Sequence, residues 1–127
     1  MSDEITLTLP PERAFHRVAH LVVGGFAVRL DLTYDTLEDL QIALDELLAR
    51  ADDAAVTVSV RFEGGELRTS VGPFGGERLR HELEQDVADE SMSLRRLLET
   101  VSDRVEIGRR DEGDYVEITK TVGAEAA

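Results

Sequence analysis

Residues 56–71 narrow the choice of folds more than any other stretch of the chain. Val56, Val58, Val60 and Phe62 alternate with polar residues, Glu63-Gly64-Gly65-Glu66 supplies a turn, and Leu67, Thr69 and Val71 resume the alternation. A period of two on both sides of a glycine pair is the pattern of a β-hairpin with one buried face. Such a face has to be covered, and the neighbouring segments show with what.

The clearest helix precedes the hairpin. Behind a cap at Thr33 or Asp35, Leu37, Leu40, Leu44, Leu47, Leu48 and Ala51 recur at spacings of three, four and one and form one apolar stripe. At about 100° per residue, Asp39, Ile42, Ala43, Glu46 and Arg50 fall on the other side, which therefore mixes apolar and charged groups. Nearer the N-terminus, Ile5, Leu7 and Leu9 alternate with Thr6 and Thr8 until Pro10-Pro11 stops the strand. Glu12 to about Arg29 reads as a helix in which Gly24-Gly25 costs roughly 1 kcal/mol per glycine relative to alanine, so a bend or close packing is expected there.

Beyond the hairpin, Gly72-Pro73-Phe74-Gly75-Gly76 reads as a loop. A charged helix then carries Leu79, Leu83 and Val87 at four-residue spacing, and a shorter one, starting at Asp89 or Ser91, runs through Leu94, Leu97, Leu98 and Val101. Val105-Ile107 and Tyr115-Ile118 form a second hairpin around residues 110–114. The order β-α-α-β-β-α-α-β-β predicts an α+β fold: a two-layer α/β sandwich with a mixed, mostly antiparallel sheet and helices on one face. Residues 1–122 are expected to form one domain and 123–127 a frayed tail.

Charge and composition bound the function. A formal net charge of -13 repels nucleic-acid phosphates and anionic lipid, so neither is an expected partner and a basic protein surface is the better one. The chain has no cysteine, which removes disulfides, thiolate chemistry and cysteine-based zinc sites. Its N-terminus is acidic, unlike a signal peptide, and no apolar run approaches the ~18 residues that span a bilayer, so a cytoplasmic location is expected. His16 and His20 have zinc-compatible spacing but lack the Glu of a His-Glu-x-x-His motif and a third ligand; His81 adds nothing by spacing. No metal site is expected, and no Gly-x-Ser-x-Gly elbow supports a hydrolase triad.

Three segments carry a family resemblance. Asp39-Leu40-Gln41-Ile42-Ala43-Leu44-Asp45-Glu46-Leu47-Leu48-Ala49-Arg50-Ala51 follows the pattern acidic-Leu-x-x-Ala-x-x-Glu-x-x-x-Asn-Ala except at the asparagine, where Arg50 stands. Leu97 to Ile107 and Val116 to Lys120 are similar to a closing helix and final strands. The chain thereby resembles, over about residues 4 to 120, the GHKL superfamily of histidine-kinase-like ATPase domains with their Bergerat-like fold, in its anti-sigma-factor serine kinase branch.

The resemblance implies an ATP site. In the family the asparagine oxygen ligates a magnesium ion that bridges the nucleotide phosphates, and the glutamate one turn earlier, here Glu46, polarises the attacking hydroxyl or water. A guanidinium has no acceptor lone pair, so Arg50 cannot ligate the metal; it can contact phosphate or pair with Glu46 at i,i+4. The family's Asp-x-Gly-x-Gly box, which holds the adenine, is matched here by Ser70-Val71-Gly72-Pro73-Phe74-Gly75, so Ser70 replaces the carboxylate, Gly72 remains, and Phe74 replaces the second glycine. The phosphate-cradling Gly-x-Gly-Leu is matched by Ser91-Met92-Ser93-Leu94, in which Ser91 and Ser93 also suit helix caps.

With all three boxes altered, the resemblance implies an anti-sigma-factor-like regulatory protein that binds a sigma factor or an anti-anti-sigma (STAS) protein. Its ATP site is expected to be degenerate and non-catalytic, and to hold no cofactor. The alternatives are an active ATP-dependent protein-serine kinase, using magnesium and Glu46 as base, and a structural assembly subunit. Pairing in the family uses the first strand and helix, here Ile5 to Leu9 and Phe15 to Val28, so a homodimer through those residues is expected.

Overall fold

The computed structural model describes residues 3–51, 54–75, 78–84 and 93–122. Strand β1 (Asp3–Leu9) leads through a 3-10 turn (Arg13–Phe15) into helix α1 (His16–Arg29) and helix α2 (Tyr34–Leu48). Strands β2 (Val56–Glu63) and β3 (Glu66–Phe74), helices α3 (Arg78–Glu84) and α4 (Leu94–Val101), and strands β4 (Arg104–Arg110) and β5 (Gly113–Thr121) complete the expected order. The strands form one five-stranded sheet in the order β1-β2-β3-β5-β4. Among the described residues every pairing is antiparallel, where a mixed, mostly antiparallel sheet was expected.

Local chemistry explains most boundaries. Gly64 and Gly65 both sit at positive φ (60° and 77°), the combination a two-residue type I′ turn needs, and this sets the β2–β3 register from Glu63↔Glu66 onwards. Helix α1 ends where Asp31 adopts φ 60°, with Asp31 N donating to Val28 O and Leu32 N to Ala27 O, each at 3.0 Å. This is the hydrogen-bond pattern of a Schellman cap, with an aspartate in the left-handed position usually given to glycine. Helix α2 starts from Thr33, whose hydroxyl accepts from Thr36 N at 3.2 Å, so Thr33 rather than Asp35 is the cap. Helix α4 starts later than expected, with Ser93 as its cap, accepting from Arg96 N at 3.1 Å.

The α2 stripe is buried from Leu40 onwards: Leu40, Leu44, Leu47, Leu48 and Ala51 join Val56, Val58, Val60, Leu67, Val71, Val116 and Ile118 from the inner face of the sheet, whereas Leu37, in the first turn, is only half-buried. Full burial of one such leucine is worth about 1.5–3 kcal/mol. Ala43, assigned by periodicity to the second face, is completely buried, as is Ala19 of α1. Two alanines let α1 and α2 pack closely, and Gln41 Nε2 donates across them to His20 O at 3.3 Å. Helix α1 runs unbroken through Gly24-Gly25, and a Cβ at Gly24 would make only an ordinary contact, 3.6 Å from Gln41 Nε2, so neither a break nor close packing accounts for the pair.

The outer face of the sheet is polar. Thr6 pairs with Ser59 (3.2 Å) and Thr8 with Thr57 (2.9 Å) through their hydroxyls. The region read as a loop from Gly72 is instead the end of β3, which continues to Phe74 through a register irregularity between Val71 and Phe74. Val87, the alternative helix starts Asp89 and Ser91, and the 123–127 tail lie outside the described residues.

Candidate functional site

The residues that follow α2, the end of β3 and helix α3 line a cavity of about 170 Å³. Its walls include Ala51, Ala54, Phe74 and Leu79, and its polar side is Arg50 and Glu82. Phe74, at the position of the second glycine, is 5% exposed and forms part of the cavity wall.

Arg50 is fully engaged. Its Nη1 donates to Glu46 Oε1 at 3.0 Å and to the Glu46 carbonyl oxygen at 2.7 Å. On the other side Nε donates to Glu82 Oε2 at 3.1 Å, and Nη2 to Glu82 Oε1 at 3.2 Å, a two-pronged contact of the kind arginine makes best. Partial burial works against the charge of Arg50, yet the hydrogen bonds to Glu82 and then Glu46 outweigh it and hold its pKa above the ordinary guanidinium value. The i,i+4 pairing expected of Glu46 and Arg50 is therefore present, and Glu82, 32 residues further on, is the partner that spacing does not reveal.

The other positions do not all converge on this groove. Glu46 and Arg50 share the end of α2, but Ser70 lies between Thr69 and Val71, which are 1% and 0% exposed on the inner face, so its side chain is on the outer face with Ser59 and Glu117 as cross-strand neighbours. Gly72 is also accounted for from the outer side: a Cβ there would lie 2.7 Å from the ring of Tyr115 and 2.8 Å from Asp114 O. The close approach that requires glycine is made by β5. Ser93 caps α4, and Ser91 lies outside the described residues.

A second charged cluster stands beside the cavity. Asp114, 1% exposed, receives Arg80 Nη2 and Nε at 3.2 and 3.4 Å and Arg109 Nε at 3.1 Å. Burial works against its ionisation, but the hydrogen bonds from Arg80 and then Arg109 prevail and lower its pKa below the ordinary 3.8. No periodicity in the sequence pairs these residues; the one local signal is a charged residue on a strand position that alternation assigns to the core. His20 contacts Asp45 of α2, and among the described residues no group of three or more His, Cys, Asp or Glu could hold a metal ion. Among those residues, too, no helix is long and apolar enough to cross a membrane.

No protein-family model matches the chain. Curated relatives do: it is 28% identical over 141 aligned residues to the serine-protein kinase RsbW of Listeria monocytogenes, covering 96% of this chain and 89% of the relative. The RsbW of Halalkalibacterium halodurans is 29% identical over 140 residues, covering 93% and 83%. A shorter match to the Bacillus velezensis RsbW reaches 36% over 66 residues, or 47% of this chain and 41% of the relative. In fold, the chain matches a crystal structure of the RsbU and RsbW domains of a Mycobacterium tuberculosis protein with a TM-score of 0.72 at 16% identity, over 94% of this chain and 32% of that longer one. The sequence similarity over nearly the whole chain makes the protein a homologue of the RsbW serine-protein kinases, with the fold of an RsbW domain.

Proposed function

We propose that the chain is a regulatory binding protein of the anti-sigma-factor type, which holds a sigma factor or an anti-anti-sigma (STAS) protein without phosphoryl transfer. The observation that carries this reading is the guanidinium of Arg50 pinned between Glu46 and Glu82, on the helix turn where relatives place a metal-binding asparagine. The donor set does not fit magnesium-ATP. Arg50 offers no lone pair to a cation, and its positive charge is already matched by two carboxylates. Glu46 keeps an acidic side chain at the base position, but Oε1 is committed to Arg50.

Isothermal titration with magnesium-ATP tests the reading, with no heat of binding expected at micromolar to millimolar nucleotide. Saturable binding, together with transfer of labelled phosphate to a STAS protein that is lost in Glu46→Gln, would establish the kinase reading instead.

The same proposal takes α1 as the pairing surface of a homodimer. Val18, Leu21 and Val28 are 37%, 70% and 74% exposed, and a Cβ at Gly25 would meet nothing within 4 Å. At spacings of three, four and three these residues form one stripe, with the glycine allowing close approach of a second helix. A net charge of -13 favours a basic surface on any further partner.

A further inference from the structure

We infer that the free edge of β4 (Arg104–Arg110) docks an extended, acidic segment of a partner protein, which adds to the sheet as a further strand. The sheet order leaves two edges without a strand partner among the described residues, β1 and β4. Such an edge presents a row of N–H and C=O groups that another extended segment can complete. Charge tells the two edges apart. β4 carries Arg104, Arg109 and Arg110 against Glu106 alone, and among the five strands it is the one with a net positive charge. β1 carries Asp3 and Glu4 and no base. The chain as a whole, at -13, favours basic surfaces, and β4 is the local exception.

The three guanidiniums keep donors to spare. Arg104 stands 3.8 Å from both Glu66 Oε2 and Glu106 Oε1, outside hydrogen-bond range, and its side chain is 57% exposed. Arg109 gives Nε to Asp114 and is 61% exposed, and Arg110 lies over the Tyr115 ring at 4.1 Å. With five N–H donors on each, a carboxylate alongside gains a charge-assisted bond without displacing an existing one. Alternation fixes the rest of the segment. Arg104, Glu106, Gly108 and Arg110 point to the outer face, while Val105 and Ile107 pack against the core on the helix side. The added strand therefore fits with carboxylates on its outer face at the spacing of Arg104 and Arg110, and with β-branched residues between them beside Val105 and Ile107. A Cβ at Gly108 would meet nothing within 4 Å, so the middle of the edge is open to a neighbouring side chain. A second copy of β4 fits worse: laid antiparallel over its full length, it sets Arg104 of each copy against Arg110 of the other. The edge is separate from the Arg50–Glu82 groove and from α1, so the inference stands whether or not the groove binds nucleotide.

Amide NMR spectra of the isotopically labelled full chain test it, in a titration with the acetylated and amidated heptapeptide Glu-Val-Thr-Val-Thr-Val-Glu, which sets a carboxylate beside both arginines in either strand direction. Saturable shift changes are expected along 104–110, and along neither β1 nor α1. Reversing both charges, Arg104→Glu with Arg110→Glu, should weaken binding at least about tenfold while the spectrum of the core is kept. A peptide N-methylated at alternate residues, which cannot complete a strand ladder, should lose about tenfold or more. The inference is overturned if Lys-Val-Thr-Val-Thr-Val-Lys binds β4 as well as the acidic peptide does, if N-methylation or the double reversal changes nothing, or if the acidic peptide leaves β4 unmoved at millimolar concentration. It is equally overturned if the β4 signals shift with protein concentration alone, which would give the edge to a second copy.

Discussion

Arg50 and Glu82, 32 positions apart, face each other through Nε–Oε2 and Nη2–Oε1 contacts of 3.1 and 3.2 Å and join the turn that follows α2 to α3. The side chain that departs from the family's asparagine is thus no passive replacement; it changes what the groove is made of. Arg50→Asn is expected to lower stability by about 1–2 kcal/mol in urea titrations, between the costs of losing an exposed and a buried ion pair. On the proposed reading it is not expected to confer magnesium-ATP binding, because Phe74 still forms part of the wall. A variant that bound nucleotide after this single change would show that Arg50 alone blocks the site.

Asp114→Ala should cost about 1–3 kcal/mol, because it removes the acceptor of three charged hydrogen bonds from Arg80 and Arg109. The pH dependence has a definite sign. Since the folded-state pKa of Asp114 is lowered, the native state binds fewer protons than the unfolded state across the acid range. The stabilisation is complete above the ordinary aspartate value and is lost as pH falls through the folded pKa, below 3.8. Denaturation curves of the unmodified chain and the variant should therefore converge on acidification; a constant gap from neutral pH to pH ~2 would remove this account.

Gly72 and Gly75 separate packing from loop chemistry. Gly72→Ala places a methyl 2.7 Å from the Tyr115 ring and 2.8 Å from Asp114 O, and should cost about 1–3 kcal/mol. Gly75→Ala meets nothing within 4 Å and should change the unfolding midpoint little. Equal effects at the two sites would contradict the close approach of β5.

Leu21→Glu tests the pairing surface. At 70% exposure the side chain contributes little to the fold, so stability should change by less than about 0.5 kcal/mol. Light scattering coupled to gel filtration should show a dimer for the unmodified chain and a monomer for the variant. A monomer in both would exclude α1 as a dimer face.

Ser93→Ala should cost about 1 kcal/mol through loss of the bond to Arg96 N, without any effect on nucleotide titrations. A change in nucleotide response would reassign Ser93 from helix cap to phosphate contact.

Much of this molecule is written in short-range pattern. The alternation of Val56 to Phe62, the glycine pair at 64–65 and the stripe from Leu40 to Ala51 determined strands, turn and helix in register, because each depends on residues within a few positions of one another. The replacement of the family's asparagine by Arg50 was equally plain. What that arginine does was not, since its partner Glu82 is brought to it by the placement of α3, and Arg80 meets Asp114 across 34 residues in the same way. Ser70 faces away from Glu46 and Arg50 because strand register, and not motif spacing, assigns its side of the sheet. Ala43 is buried because α1 packs on a second face of α2 that periodicity alone leaves to solvent. Periodicity is local, so the chain by itself determined its elements and their order; ion pairs and facing depend on how distant elements pack, so only the tertiary structure decided the site.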